Sequence, residues 1–345
     1  AVRQARSAVE LLGHHPSIAI WCAHNEPLAL DIDQGKLDAS PIRTVARFAA
    51  LQELPTWNKT ILDTSVKRSL SRADGTRPVI PHSGIYPGPF SGGTDAHLYF
   101  GWYNGDERDF PRVLKVWPRL ARFVTEFGAQ AVPESDEFMG SDRWPELDWA
   151  RLARTHALQR HNFDRYVPPA DHESYKSWRD ATQAYQATVV RHHVETLRRL
   201  KYRPTGGFCQ FSFGDAFPGV TWAVLDHERV AKTAYHALAD SCAPVIVVAT
   251  RPAASYPSGA SLALDVHAVS DRRAAINEAT VTATLRWEGG GKEWSWAGAL
   301  PADACVKVGV VRIDVPPSPG PLTLELHLAG ADVEATSRYE SRIEP

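Results

Sequence analysis

Apolar and polar positions follow two rhythms along the chain. From Ala1 to about Ala239, short apolar runs alternate with longer segments of helical period. The runs Ser17–Cys22, Pro78–Pro81, Ala96–Trp102, Phe123–Phe127 and Gly207–Phe213 read as strands. The segments Ile42–Leu54, Phe110–Arg119, Trp144–Asn162 and Tyr175–Leu200 read as helices, because apolar residues recur there every three or four positions. Strands alternating with helices imply a parallel sheet or a (β/α) barrel. From about Ser241 the period falls to two. Pro244–Ala249, Ser261–Val269, Ala279–Trp287, Val306–Val315 and Leu322–Leu328 alternate, with Gly, Pro and Asp between them. Glu288-Gly289-Gly290-Gly291-Lys292 reads as a hairpin turn. Pro316 to Gly320 reads as a loop, since proline fixes φ and removes a donor. This half predicts an all-β sandwich of roughly 100 residues. The fold class is therefore α/β plus all-β, with residues 1–240 and 241–345 as the two domains.

Composition narrows the function classes. The chain has 345 residues, enough for two domains at ~100–200 each. With 43% hydrophobic residues, 23% charged and a formal net charge of −2, wholesale disorder and a strongly basic nucleic-acid binder are excluded. No apolar run reaches the ~18 residues of a membrane helix. Cys22, Cys209, Cys242 and Cys305 lie far apart without a CxxC pair. They predict free buried thiols rather than structural zinc, and favour a reducing compartment such as the cytoplasm. His14-His15 reads as a loop pair rather than a metal site. His192-His193 reads as part of a solvated helix face, since adjacent helical residues point to different sides. The first residue is Ala1 and the one methionine is Met139. Because AVRQARSAVELLGHHPSIAIW reads as a helix running into a strand, the sequence is expected to open inside a domain.

Two strand ends deliver carboxylates. His15 to Pro27 is an apolar run closed by Asn25-Glu26 and stopped by proline, and Arg122 to Gln130 carries Glu126 before Phe127-Gly128. In a (β/α) barrel the C-terminal strand ends carry the active site. A barrel of ~250 residues repeats every ~31, so carboxylates 100 positions apart fall about three strands apart. Two carboxyl groups about 5–5.5 Å apart perform retaining glycoside hydrolysis. Proximity and burial then push their pKa values apart, which keeps one ionised and the other protonated.

The segments HPSIAIWCAHNEP, DGTRPVIPHSG, DAHLYFGWYNGD and RFVTEFGAQAVPE resemble the second half of the catalytic barrel of glycoside hydrolase family 2, and within it the β-mannosidase branch. SYKSWRDATQAYQATVVRHHVETLRRL resembles the helix before the last strand, and FSFGDAFPGVTWAVLDHERVAKTAYHAL that strand and its loop. The resemblance covers roughly residues 11–249. It implies a partial TIM barrel, about strands 4–8, followed by an immunoglobulin-like β-sandwich. It implies Glu26 as acid/base, Glu126 as nucleophile and Asn25 on the sugar 2-hydroxyl. His97 belongs to the family's Asp-x-His, with Asp95, and Trp102 follows it. Tyr103 stands where the mannosidases often have His, and Trp222 also matches. Trp21, Trp102 and Trp222 are expected to stack on sugar faces. His82 and Ser83 follow the fifth strand and are candidates to line the cleft.

The last strand departs from the family pattern Trp-Gln-Leu-Asn-Asp-x-Trp-Pro and reads Phe211-Ser212-Phe213-Gly214-Asp215-Ala216-Phe217-Pro218. His24 replaces an Asn often found before the Asn-Glu pair. The expected function is a retaining hydrolase of terminal β-linked sugars, foremost β-mannosides. Exo-β-glucosaminidase, β-glucuronidase and β-galactosidase activities stay open, as do an endo-acting transglycosidase and an inactive carbohydrate-binding scaffold. No metal or organic cofactor is required. The expected partners are a glycoside or oligosaccharide and the N-terminal remainder of the same enzyme, with no nucleic acid and no membrane. A five-stranded part-barrel leaves two open edges. On its own it is expected to fold poorly and turn over little substrate.

Overall fold

The computed structural model describes residues 1–27, 40–87 and 92–345. The described residues divide into two compact units, 1–190 with 202–235, and 191–201 with 236–345. No helix among them is long and apolar enough to cross a membrane.

In the first unit, helices and short strands alternate. The elements are α1 (Val2–Leu12), β1 (Trp21–Cys22), α2 (Pro41–Leu51), α3 (Asp63–Ala73), β2 (Val79–Ile80), β3 (Ala96–His97), α4 (Phe110–Val116), β4 (Phe123–Glu126), α5 (Trp149–Thr155), α6 (Arg160–Tyr166), α7 (Tyr175–Arg199), β5 (Gly207–Phe208) and α8 (Thr233–Ser241). α7 and α8 each run on into the second unit. All strand pairing among the five strands is parallel: β1 with β2, and β3 with β4 with β5. Among the described residues these are two separate sheets, and no barrel closes.

The strands lie within the expected runs but are shorter. The long helical period over Trp144–Asn162 is a misreading. It breaks into α5 and α6 at Ala157, which has a positive φ of 59°. α3 lies outside the expected helical segments, although Val66 and Leu70 pack with Val9 and Trp21 at its i, i+4 spacing. His192 and His193 are buried rather than solvated, because α7 is enclosed there: Val189, Val190, Val194 and Leu197 all have 0% exposure. The four cysteines are free, as expected, but three are exposed and Cys305 is half-buried. Cys22 faces away from the side on which its strand neighbour Trp21 is buried, as the two-residue strand period requires.

The second unit is two antiparallel-rich sheets packed face to face. Its strands are β6 (Val245–Ala249), β7 (Ser255–Pro257), β8 (Ser261–Ser270), β9 (Ile276–Trp287), β10 (Gly290–Leu300), β11 (Cys305–Asp314), β12 (Gly320–Gly330) and β13 (Val333–Glu344). One sheet has the order β10-β9-β12-β13-β7, the other β11-β8-β6. Leu322, Leu324, Leu326 and Leu328 on β12 share one core with Leu262, Leu264, Val266 and Ala268 on β8. Each such leucine contributes roughly 1.5–3 kcal/mol of burial. Gly289 (φ +81°) turns the expected β9–β10 hairpin. Most of β10 is exposed, and its apolar alternation is confined to Trp294 and Trp296, too short a pattern to mark a strand. Its Trp296 ring lies against Gly309, beside an irregularity in the β8–β11 register between Lys307 and Gly309.

A Cβ at Gly309 would overlap the Trp296 ring. Gly309→Ala is expected to lower stability by about 1–3 kcal/mol, the ordinary cost of overpacking. Gly298→Ala, where a Cβ meets nothing within 4 Å, should stay within about 0.5 kcal/mol. Urea unfolding of both variants checks this, and equal midpoints contradict it.

Candidate active site

The first unit gathers its polar chemistry at the C-terminal ends of its strands. The β1–β2 pairing continues past the ladder as a parallel bridge between Asn25 and Ser83. The Glu26 amide donates to the Ser83 carbonyl at 3.1 Å. In the next sheet His97 sits opposite Glu126 in the β3–β4 register. Around β3, Ala96, Leu98 and Phe100 are fully buried. The alternate residues Asp95, His97 and Tyr99 make the polar contacts of the site.

His97 stands between the two carboxylates. Its Nδ1 lies 2.7 Å from Glu26 Oε1 and 3.5 Å from Glu126 Oε2. One oxygen of each glutamate and a ring nitrogen of His97 all lie within 4.8 Å of one another. On the other side of the ring, Nε2 is 2.9 Å from Ser83 Oγ, and Ser83 Oγ donates to Asp95 Oδ2 at 2.6 Å. Asp95 has no exposed side-chain surface and collects three more contacts. Gly84 N donates to Oδ1 at 3.0 Å, Thr125 Oγ1 donates to Oδ2, and His97 Nε2 is 3.6 Å from Oδ2. The Tyr99 hydroxyl donates to Glu126 Oε2 at 2.6 Å.

Two backbone features make room for this packing. Gly84 has φ +79°, and a Cβ there would sit 2.8 Å from His97 Cε1 and 3.2 Å from Glu26 Cγ. Glu26 is itself a non-glycine residue at φ +44°. Such strain costs about 1–3 kcal/mol and collects at functional sites. Behind the rim, buried Asp63 on α3 meets both preceding histidines, with Oδ1 2.9 Å from His24 Nδ1 and Oδ2 3.0 Å from His82 Nδ1. His24 immediately precedes Asn25-Glu26 and His82 immediately precedes Ser83, so one carboxylate hydrogen-bonds one rim segment and lies against the other.

The charges follow from this wiring. Burial alone would raise the Asp95 carboxyl, but hydrogen bonds from His97, Ser83, Thr125 and Thr94 outweigh it and hold it at about 2. Burial works against the His97 cation too. The hydrogen bonds to Asp95 and Glu26 and the charges of Glu126 and Glu26 overcome it, raising His97 to about 9. Burial pushes Glu126 up, while the His97 charge and the Tyr99 hydrogen bond pull it back. Glu126 is the more buried of the two, with 16% side-chain exposure against 54% for Glu26. Glu26, His97 and Glu126 have the donor types to hold a cation. A protonated His97, however, offers no lone pair to a metal.

The other expected site residues separate into two groups. Tyr103 and Trp222 face Tyr99, with ring centroids 5.2 and 6.4 Å from it, and Phe211 packs 5.8 Å from Trp222. The Tyr103 hydroxyl is 2.9 Å from Gln159 Oε1 and 2.6 Å from Gln159 Nε2, so it is held by one amide. Asn25 is exposed beside Glu26. Trp21 and Trp102 are not brought to the site. Trp21 is buried among Val9, Val66 and Leu70 and donates to Asp74 at 2.8 Å. Trp102 is buried between Phe163 and Tyr166 and donates to Gln159 at 2.8 Å. Both indoles point into helix packing, where a large apolar ring is best desolvated. Sequence reasoning missed Tyr99 and the part played by Asp95. Its signal was the alternation Asp95, His97, Tyr99 against Ala96, Leu98, Phe100.

No protein-family model matches the chain. It is 26% identical over 286 residues to β-mannosidase B of Thermothelomyces thermophilus, a match covering 74% of this chain and 31% of that protein. It is 24% identical over 267 residues to β-mannosidase B of Emericella nidulans, covering 71% and 30%. The chain thus spans less than a third of the length of these curated relatives. Among solved structures, the β-D-mannosidase of Dictyoglomus thermophilum aligns with a TM-score of 0.74 at 20% identity, over 98% of this chain and 40% of that one. The exo-chitosanase CsxA of Amycolatopsis orientalis aligns with a TM-score of 0.65 at 15% identity, over 98% and 38%.

The Asp95 geometry predicts a pH signature. Its carboxyl titrates near 2 when folded against an ordinary 3.8, so its contribution is complete above about pH 4 and lost as pH falls toward 2. That contribution is about 2 kcal/mol. The stability difference between the protein and Asp95→Asn should shrink across that window in urea titrations. A difference that stays constant from pH 6 to pH 2 contradicts the assignment.

Proposed function

We propose that this chain, β-mannosidase-like in sequence and similar in fold to a solved β-mannosidase, works within a retaining glycoside hydrolase of family 2. The observation that carries the reading is the carboxylate pair, Glu26 and Glu126, with oxygens within 4.8 Å of each other across one histidine. That spacing supports direct attack by one carboxylate. The inverting mechanism needs about 6.5–9.5 Å to admit a water.

Glu126 is the nucleophile in this reading. Tyr99 and His97 both address its Oε2, which leaves Oε1 to attack the anomeric carbon. Glu26 sits on the exposed rim, where it protonates the departing oxygen and then takes a proton from the water that releases the sugar. Tyr103, Trp222 and Phe211 supply an apolar wall for the C–H face of a sugar ring. Tyr103 presents its ring rather than its hydroxyl, because Gln159 occupies the latter. In this reading Asn25, exposed beside Glu26, takes the 2-hydroxyl. We read β1 to β5 as strands four to eight of a (β/α) barrel and the second unit as the immunoglobulin-like sandwich that follows it. A complete barrel needs three further strands, and the assays below apply to the protein in which they are present. The substrate is a terminal β-linked sugar, with mannose favoured by the names of the relatives.

Aryl β-mannoside, β-glucosaminide, β-glucuronide and β-galactoside are the test panel. Hydrolysis of the mannoside with retained anomeric configuration, read by NMR of the first product, is expected. Glu126→Gln should bring turnover to background. Glu26→Gln should cost about 10²–10⁴-fold on poor leaving groups and much less on dinitrophenyl glycosides, which need no acid. Binding without turnover across the whole panel contradicts the reading and favours a carbohydrate-binding scaffold.

A further inference from the structure

The glycosidase reading leaves a physical problem. The acid must hold a proton near neutral pH, yet the Glu26 side chain is 54% exposed. Desolvation, the usual means of keeping a carboxyl protonated, therefore applies to Glu126 instead. The contacts around His97 offer a different means, and a count of donors shows it.

Ser83 has one proton to give. Its Oγ lies 2.6 Å from Asp95 Oδ2 and 2.9 Å from His97 Nε2. Asp95 is held ionised and can only accept. The Ser83 proton therefore goes to Asp95, and Ser83 accepts from His97, which requires a hydrogen on Nε2. The other ring nitrogen, Nδ1, faces Glu26 Oε1 at 2.7 Å with one proton between them. That proton resides either on Nδ1 beside a carboxylate or on Glu26 beside a neutral ring.

We propose that Asp95 and Ser83 are positioning residues that lock the His97 tautomer, so that Glu26 and His97 Nδ1 share the proton used for general acid catalysis. The inference rests on the glycosidase reading for its chemistry and on the hydrogen bonds alone for its proton state. The proton balance closes over one turnover. Glu26 passes the shared proton to the leaving oxygen as the glycosidic bond breaks and Glu126 bonds to the anomeric carbon. His97 is then neutral, with its Nδ1 lone pair toward the Glu26 carboxylate. Water attacks the glycosyl-enzyme, Glu126 departs, and the water proton returns to the Glu26–His97 pair. The charged groups that face the ring are Asp95 from β3, Glu26 from the β1 rim and Glu126 from β4, all acidic. They favour the cation and keep the pair loaded into the alkaline range.

The test is nitrogen NMR of histidine-labelled protein, with His97 assigned by the loss of its signals in His97→Asn. Expected is a doubly protonated ring at pH 7 and a titration midpoint near 9. The neutral form should carry its hydrogen on Nε2. Ser83→Ala should lower the midpoint by about one unit or more, a tenfold change in the proton equilibrium, and Ser83→Thr should restore it. In kinetics, the alkaline limb of kcat/KM should move acidward with Ser83→Ala and return with Ser83→Thr. A midpoint near an ordinary 6.5, a neutral form protonated on Nδ1, or a ring indifferent to Ser83→Ala overturns the proposal. The wild-type titration decides even if that variant does not fold. The expected NMR result with no turnover of any aryl glycoside would instead refute the glycosidase reading and leave the proton state standing.

Discussion

A carboxylate with no exposed surface, Asp95, organises the site. Placing an ionised group there costs several kcal/mol unless its lone pairs are filled. Here they are filled from the segment beyond β2, by Ser83 and Gly84, and from Thr125 on β4, while Asp95 itself stands at the start of β3 and His97 reaches it through Ser83. Satisfying one buried charge therefore fixes the mutual position of three strand ends. Glu126 follows Thr125 directly. Glu26 is brought in by the hydrogen bond that its backbone N–H donates to the Ser83 carbonyl, and by His97. The acid pair stands where it does because its neighbours are committed to Asp95.

The same logic repeats one layer back. Asp63 hydrogen-bonds His82, the residue before Ser83, and lies 2.9 Å from the ring of His24, the residue before Asn25-Glu26. The two strand ends thus meet at one carboxylate as well as through backbone pairing. With strands only two to four residues long, the ladder supplies few hydrogen bonds, and these polar ties carry much of the rim geometry. α7 adds to it, since Gln186 donates to the carbonyls of Ala129 and Trp222, and Gln183 to that of Val132.

Much of this was legible in the sequence, and the failures have physical causes. Glu26 and Glu126 stood out because an apolar run ending in a carboxylate is costly unless the carboxylate is used. The sandwich strands β8, β9 and β12 showed their two-residue period because one face of each is buried in a single core. β10 did not, because it lies mostly exposed. Trp21 and Trp102 were misplaced because aromatic content alone does not say which strand face or turn a ring takes. Burial settles that, and both rings are sunk among helices. Tyr99, and the part Asp95 plays beyond its place in the Asp-x-His motif, were missed for the opposite reason. They alternate correctly with Ala96, Leu98 and Phe100, but an Asp in a strand run reads as an ending rather than as a hub. The His24–Asp63–His82 contacts join residues 19 to 39 positions apart and leave no local pattern.

In the proposed mechanism Glu126 is the group that bonds to the sugar. An activated 2-deoxy-2-fluoro-β-mannosyl reagent reacts at the nucleophile and is then released slowly, so the labelled peptide identifies it. Mass spectrometry of the digested protein should place one sugar on the peptide containing Glu126, with no label in Glu126→Gln. A label on Glu26, or a label that persists in Glu126→Gln, would contradict the account.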